Sequence, residues 1–336
     1  MSESLQNLKS KFSEVFPEHA KLLEGARSHT EVLKLQDRFQ LEFKTKLASA
    51  LNIKLDSLDD RKTQPAFALK PATYNALINA TGGAIEQQLH DLLTSIQSLS
   101  KMEHDDPKDA VATMFAGGIT SLGLTAIAAY QSKLVMGAVE AAAALAGVEV
   151  ATLAVVCSIA TLVVFTLILP ILFYMEKPAN CIILLINEVG DNDDSLEFQE
   201  DYNVHGKPAL ITRSILGPLD FGSGQVRYNA GFIAAEKRDN ALVGCQYGFT
   251  LTFNNGGAHN SLKGQRFTFG VDCPLTGIDG WNNCYCSFDD NAKQAAENTD
   301  KHDAISYTAE KNGIKLSIKC NSQKGSIAYY VARVYK

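Results

Sequence analysis

Charge is scarce over one long stretch of this sequence. From residue 110 to 175 the only ionisable carboxylates and amines are Lys133, Glu140 and Glu149. At average usage, about a quarter of such a stretch would be charged, so it is unsuited to coating a globular surface. Basic excess is also missing: 31 Lys and Arg stand against 37 Asp and Glu, a net charge of -6. A protein built to hold nucleic acid needs clustered cations to neutralise phosphates, so nucleic acid is not an expected partner. The first residues, MSESLQNLKSKFSEVF, alternate charged and apolar side chains. They lack the basic start and apolar run of a secretory signal, so synthesis as a soluble cytosolic protein is expected. There is no G-x-S-x-G, P-loop, H-E-x-x-H or strand-linked G-x-G-x-x-G. No catalytic residue and no cofactor is therefore expected, and the chain is not read as an enzyme. Cysteine is present in an odd number, seven, which favours reduced, buried thiols over a disulfide framework.

The charge-poor stretch has internal order. Its three charges lie near the middle with Gly137 and Gly147, leaving uncharged arms at residues 111 to 132 and 150 to 175. Each arm reaches the roughly 20 residues that cross a bilayer as a helix. Keeping the charges at a polar tip of Lys133, Glu140 and Glu149 avoids placing them in hydrocarbon, at about 2.5 to 3.5 kcal/mol each. The first arm is rich in small and hydroxyl side chains, which permit close helix approach. The second is apolar all round, as a helix facing lipid or a deep core must be, and Pro170 would end or kink it. The expected inserting residues are Val111, Phe115, Leu122, Leu124 and Ile127 on the first arm. On the second they are Leu153, Val156, Ile159, Leu162, Val163, Phe165, Leu167 and Ile168. A buried central pair in a helical bundle would produce the same pattern, but residues 1 to 109 are few for covering both arms completely.

Before the hairpin, Val32, Leu35, Phe39, Phe43, Leu47 and Ala50 recur three or four apart, the stripe of an amphipathic helix. Ile85, Leu89, Leu92, Ile96 and Leu99 form a second stripe, the pattern of a helix packed along another helix. After it, from Cys181 onward, the period changes to that of strands. CIILLINEV, ALVGCQYGFTLTF, QRFTFGVDC, NCYCSF, IKLSIKC and SIAYYVARVY are short, β-branched or aromatic, and separated by Gly, Asn and Asp turns. A β-sandwich is the economical fold, with a boundary near Glu176, Lys177 and Pro178. The fold class expected is α+β: an N-terminal helical bundle over 1 to 180 enclosing a hydrophobic helical hairpin, then an antiparallel β-sandwich over 181 to 336.

Within the β half, Trp281 is the one tryptophan and sits in a Gly- and Asn-rich turn with Pro274 and Tyr285 nearby. A loop tryptophan suits the headgroup zone, its ring apolar and its N–H polar; folding back into the core is the plainer reading. Cys284 and Cys286 share one strand face, but C-x-C lacks structural zinc spacing and no histidine is placed to help, so no metal is expected. The run Asp191, Asn192, Asp193, Asp194 lacks the glycine and closing glutamate of a calcium loop and reads as a solvated turn. His104 with Asp105 and Asp106 offers a pH-sensitive hinge or, more simply, a helix cap.

The order of helices followed by an uncharged hairpin resembles the α-helical pore-forming toxins, the cytolysin A and haemolysin BL group and related insecticidal proteins. The likeness is in organisation and covers residues 1 to 175. Separately, FTFGVDCPLTGIDGWNNCYCSF, with Pro274, Asp279, Trp281 and Asn283, resembles the loop of the actinoporin-like sandwiches near their phosphocholine or sugar-binding surface. That resemblance implies a lipid or glycan site at Pro274, Trp281 and Tyr285. This chain departs from it in having one tryptophan, several cysteines and no piercing helix directly before the sandwich. Together the likenesses imply a pore-forming cytolysin: the sandwich binds a target-cell lipid or surface glycan, and hairpins from a homo-oligomer insert after release or ingestion. The alternatives are a resident two-span membrane protein and a lectin-like binding protein with a buried hairpin.

Overall fold

The computed structural model describes residues 10, 13, 14, 16–25, 29–55, 66–98, 137, 140–145, 147, 180–191, 194–220, 226–238, 243–254, 260–275 and 280–336. The thirteen expected inserting residues, together with Lys133, Glu149 and the 104–106 segment, lie outside them. The chain forms two compact units, one from residues 1–63 and 92–169 and the other from 64–91 and 170–336.

In the first unit, α1 (Pro17–Glu24) and α2 (His29–Leu51) are amphipathic helices. The stripe read from the sequence is the buried one: Phe39, Phe43 and Leu47 are all but inaccessible. Phe16 meets Phe39 edge to face at 5.1 Å. His19 lies 4.6 Å from the same ring and 3.2 Å from Glu42. Each such aromatic removed from water contributes about 1.5 to 3 kcal/mol. Residues 140–145 are helical, with Ala141, Ala142 and Ala143 buried and Glu140 exposed. Gly147 makes a turn with φ of 70°. At Gly137 an added Cβ would stand 2.6 Å from a Leu51 methyl, so an alanine there would have to push that α2 side chain aside. Among the described residues no helix is long and apolar enough to cross a membrane.

The second unit begins earlier than the sequence suggested. Residues 64–91, expected to belong to a helical domain ending at 180, fold with the sheets. Strand β1 (Ala66–Ala68) pairs with β8 (Asn229–Glu236). Helices α3 (Pro71–Asn79) and α4 (Gly83–Ser98) follow, and α4 runs across the division between units. The remaining strands of this seven-stranded sheet are β2 (Asn180–Asn187), β4 (Lys207–Ile211), β12 (Ser306–Lys311), β13 (Ile314–Cys320) and β14 (Ile327–Tyr335). Their order is β1-β8-β2-β14-β13-β12, with β4 also on β8. The second sheet holds β3 (Ser195–His205), β5 (Ser214–Leu216), β9 (Cys245–Asn254), β10 (Arg266–Cys273) and β11 (Asn283–Ser287), ordered β11-β10-β9-β3-β5. A two-stranded ribbon, β6 (Leu219–Asp220) with β7 (Val226–Arg227), lies apart from both. An entirely antiparallel sandwich was expected; β2 and β14 pair in parallel.

Burial on both faces explains the unbroken apolar run of β2. Cys181, Ile183 and Leu185 enter the core between the sheets, while Ile182, Leu184 and Ile186 are equally inaccessible on the other face. That other face is where α3 and α4 lie: Lys319 Nζ donates to Ile78 O at 3.1 Å, and His90 meets Tyr329 at 5.7 Å. The second stripe, with Ile85 and Leu89 buried, therefore accompanies contacts to a sheet. The inter-sheet core includes Phe249 and Phe269, stacked at 5.5 Å.

A helix absent from the sequence reading, α5 (Ala292–His302), lies on the outer face of the second sheet. Its start is a reciprocal capping box in which Asn291 Oδ1 accepts from Gln294 N and Gln294 Oε1 accepts from Asn291 N, both at 2.9 Å. Two glycines paired across β9 and β10 admit it. A Cβ at Gly248 would stand 2.0 Å from Ala292 O, and one at Gly270 2.1 Å from Ala295 O. No side chain fits either position without displacing the helix.

Candidate functional site

Strand register gathers several chain ends at one end of the sandwich. Glu236, ending β8, is paired with Asn180, starting β2. Asn180 is also paired with Ile327, which starts β14. Cys245, starting β9, faces Cys273, ending β10. Asp272 faces Asn283, which starts β11. The described loop residues 237–238, 243–244, 274–275, 280–282 and 321–326 therefore share this end.

Close backbone contacts hold the loops together. A Cβ on Gly244 would stand 2.1 Å from Cys273 O and 2.6 Å from Pro274 Cα, so only glycine lets these two loops touch. Gly280, at φ 151°, faces the Pro274 ring, leaving 3.2 Å for a Cβ. The next loop is tied by Asn282, whose backbone N–H donates to Gln323 O at 2.8 Å and whose Nδ2 donates to Ser322 O at 3.1 Å. Cys273 Sγ makes a weak 3.7 Å contact to Gly325 O. Arg238 Nε donates to Gly206 O at 3.0 Å and braces the loop after β8.

On this frame Trp281 is 38% exposed, and the Lys324 ammonium lies 4.7 Å from its ring centre. The ring quadrupole attracts the cation, by about 0.5 to 1 kcal/mol at an exposed site. Val243 is 45% exposed on the neighbouring loop. Pro274 is half-buried and serves as the wall against which Gly280 rests. The structure thus brings Trp281 and Pro274 onto one loop but turns Tyr285 away. Its side chain is buried beneath α5, its ring stacked on His302 at 5.0 Å, and its hydroxyl donates to Asp290 at 2.8 Å. Burial, then that carboxylate, pushes the phenol up to about 12. Lys324 and Val243 were not legible as site residues, because nothing in a lysine of a Ser-Gln-Lys-Gly turn says which loop it will meet.

Beneath the loops lies a polar layer. Gln246 Nε2 lies 3.0 Å from Ala296 O, 3.1 Å from Thr299 Oγ1 and 2.9 Å from Asp300 Oδ2, its two hydrogens shared among the three acceptors, tying β9 to α5. Asp272, flanked across the strands by Gln246 and Asn283, is pushed up to about 7, first by burial and then by the charge of Asp300. Asn283 Oδ1 is buried without a donor.

The six described cysteines are core thiols. Cys181, Cys245, Cys273, Cys284, Cys286 and Cys320 are all free and buried, and burial pushes Cys286 and Cys320 up to about 12. Among the described residues no group of side chains is arranged to hold a metal ion.

No protein-family model matches the chain, and no curated protein matches it by sequence. Among solved structures it is similar to the lipid-binding protein Nakanori, at 11% identity over 50% of this chain and 77% of that one, with a TM-score of 0.38. The Xerocomus chrysenteron lectin XCL is similar at 8% identity, 47% and 98% coverage and a TM-score of 0.30. A third is the protein IP-1A from Alcaligenes faecalis, at 17% identity, 48% and 94% coverage and a TM-score of 0.27. Likeness of this degree fixes neither a family nor a ligand.

Proposed function

We propose that this protein binds the surface of a membrane, at a lipid headgroup or surface glycan, through the loop end that presents Trp281. The observation carrying this reading is an exposed indole on a braced loop, with an ammonium held against its face. Burying the exposed part of such a ring gains about 2 kcal/mol, and its N–H suits the wet boundary of a bilayer. The test is co-sedimentation of the detergent-free protein with liposomes. Trp281→Ala abolishes binding and leaves the fold intact; undiminished binding by that variant overturns the assignment of this end.

Pore formation is the second reading, favoured by one specific observation. Strand β2 starts at Asn180 at this same end, and the uncharged arm over residues 150–175 precedes it. The five peptide steps from Met175 to Asn180 span at most about 18 Å. Docking by this end therefore brings Asn180, the strand start that follows the arm, to the membrane side of the sandwich, and burial of apolar surface would drive insertion. One hairpin cannot enclose a channel, so the pore would be a homo-oligomer of chains made soluble and delivered to a target cell. Dye release from liposomes separates the readings. Leakage lost in Leu162→Asp with Val163→Asp, binding retained, supports the pore; sugar-inhibitable binding without leakage supports the lectin-like protein. An absolute need for detergent in extraction supports the resident two-span protein.

A further inference from the structure

The loop end carries more than an aromatic. Lys324 and Arg238 are exposed and Lys237 is half-exposed. They are joined through a continuous set of contacts: Lys324 over Trp281, Gly325 against Cys273, Cys273 facing Cys245, the Cys245 side chain beside Gly206, and Gly206 bonded to Arg238. The described acids near these cations are engaged or set back. Glu236, with a side chain 9% exposed, pairs with Lys207 at 3.3 Å. Asp272 is partly buried in the layer beneath, Asp300 is exposed but accepts from Gln246 at 2.9 Å, and Glu86 on α4, with a side chain 45% exposed, accepts from Asn321 at 3.1 Å. A chain of net charge -6 thus presents cations beside exposed Trp281 and Val243.

Resting on the proposed membrane-surface binding, we propose that this end selects bilayers bearing anionic lipid headgroups. The geometry pairs the two parts of such an interface. A tryptophan ring settles between headgroups and acyl chains, and a lysine stem keeps its ammonium at the phosphate level above apolar contacts. Lys324 already occupies the Trp281 face. A quaternary ammonium would have to displace it, whereas an anionic group meets the ammonium from outside with the ring contact kept. The mixture of apolar tips and cations favours a lipid interface over a soluble anionic glycan, which gains nothing from Val243.

The experiment compares co-sedimentation with vesicles of phosphatidylcholine alone and of phosphatidylcholine mixed with phosphatidylserine, at low and high salt. Binding is expected to be strong only to the mixed vesicles and to weaken with salt as screening shortens the reach of each charge. Lys324→Gln and Lys237→Gln each lower partitioning about fivefold, the effect of one cation at an anionic surface. Lys324→Glu lowers it further, and near-ultraviolet circular dichroism verifies that each variant keeps its fold. Equal, salt-independent binding to both vesicles overturns anionic selection and leaves surface binding standing. Binding to neither vesicle, with no retention on a sulfated-glycan resin, overturns both. Retention on a sulfated-glycan resin, with no binding to mixed vesicles, overturns the lipid in favour of a glycan.

Discussion

The Tyr74 hydroxyl donates a 2.8 Å hydrogen bond to Glu188, a carboxylate that also takes Arg333 through bonds of 2.6 and 2.9 Å. Glu188 is thus one point where α3 is fastened to the sheet. Its side chain is 7% exposed and that of Arg333 16%, so this is a desolvated pair rather than a surface one. Burial first, then the hydrogen bond and charge of Glu188, pushes the Tyr74 phenol well above its usual range. Tyr74→Phe should lower stability by about 1.5 to 3 kcal/mol, the scale of a hydrogen bond to a charged group. Arg333→Met leaves Glu188 buried without its cation and should cost about 3 to 5 kcal/mol. Urea unfolding of each variant measures both; equal, small losses would mean that water reaches Glu188.

Gly270→Ala should destabilise by about 1 to 3 kcal/mol through overpacking, because the methyl would stand 2.1 Å from Ala295 O. Gly83→Ala is the control: nothing lies within 4 Å of that position, at the start of α4, and it should be neutral or slightly stabilising. Thermal unfolding of the pair checks the close approach of α5. Limited proteolysis of Gly270→Ala should show cleavage within residues 292–302.

Asp272 predicts a definite direction of pH dependence. Its folded value, about 7, lies above the ordinary 3.8, so between those values the folded state holds a proton that the unfolded state has released. Its contribution is fully present below about pH 4 and is lost as pH rises through about 7. Asp272→Asn should remove this slope and make the protein relatively more stable at pH 8. Asp300 and His302 on α5 adjoin the same layer, so Asp300→Asn in the same background separates their share. Chemical unfolding between pH 5 and 8 is the measurement, and a slope unchanged by Asp272→Asn would reassign the proton.

Thiol chemistry should report the fold. The six described cysteines are buried, and a neutral thiol is a poor nucleophile. Ellman's reagent at pH 8 should leave them unmodified until denaturant is added. Rapid modification of any of the six in the native protein would mean that the sandwich opens at its loop end.

Much of the architecture was legible because it rests on local periodicity. Phe39, Phe43 and Leu47 mark a helix by spacing alone, and the strands from Cys181 onward mark themselves by β-branched and aromatic content between turns. Cys284 and Cys286 could be placed on one buried face from the alternation of a strand. Other features belong to partners distant in sequence. AKQAAENTDKH is a polar segment whose helix is selected by its capping box and by the space above Gly248 and Gly270. The 64–91 segment belongs with the sheet through β1 and β8, Tyr74 and Glu188, and Lys319 and Ile78.

What the sequence determined by itself was the division into a helical beginning, a charge-poor middle and a β-rich end, and the presence of one tryptophan in a turn. These follow from side-chain hydropathy and backbone preference, which act over a few residues. Only the tertiary structure decided that Trp281 would be exposed with Lys324 on its face, that Tyr285 would be buried under α5, and that the chain following the second apolar arm would enter the sandwich at the Trp281 end. Each depends on which loops strand register brings to a common end, a long-range outcome of closing two sheets over one core.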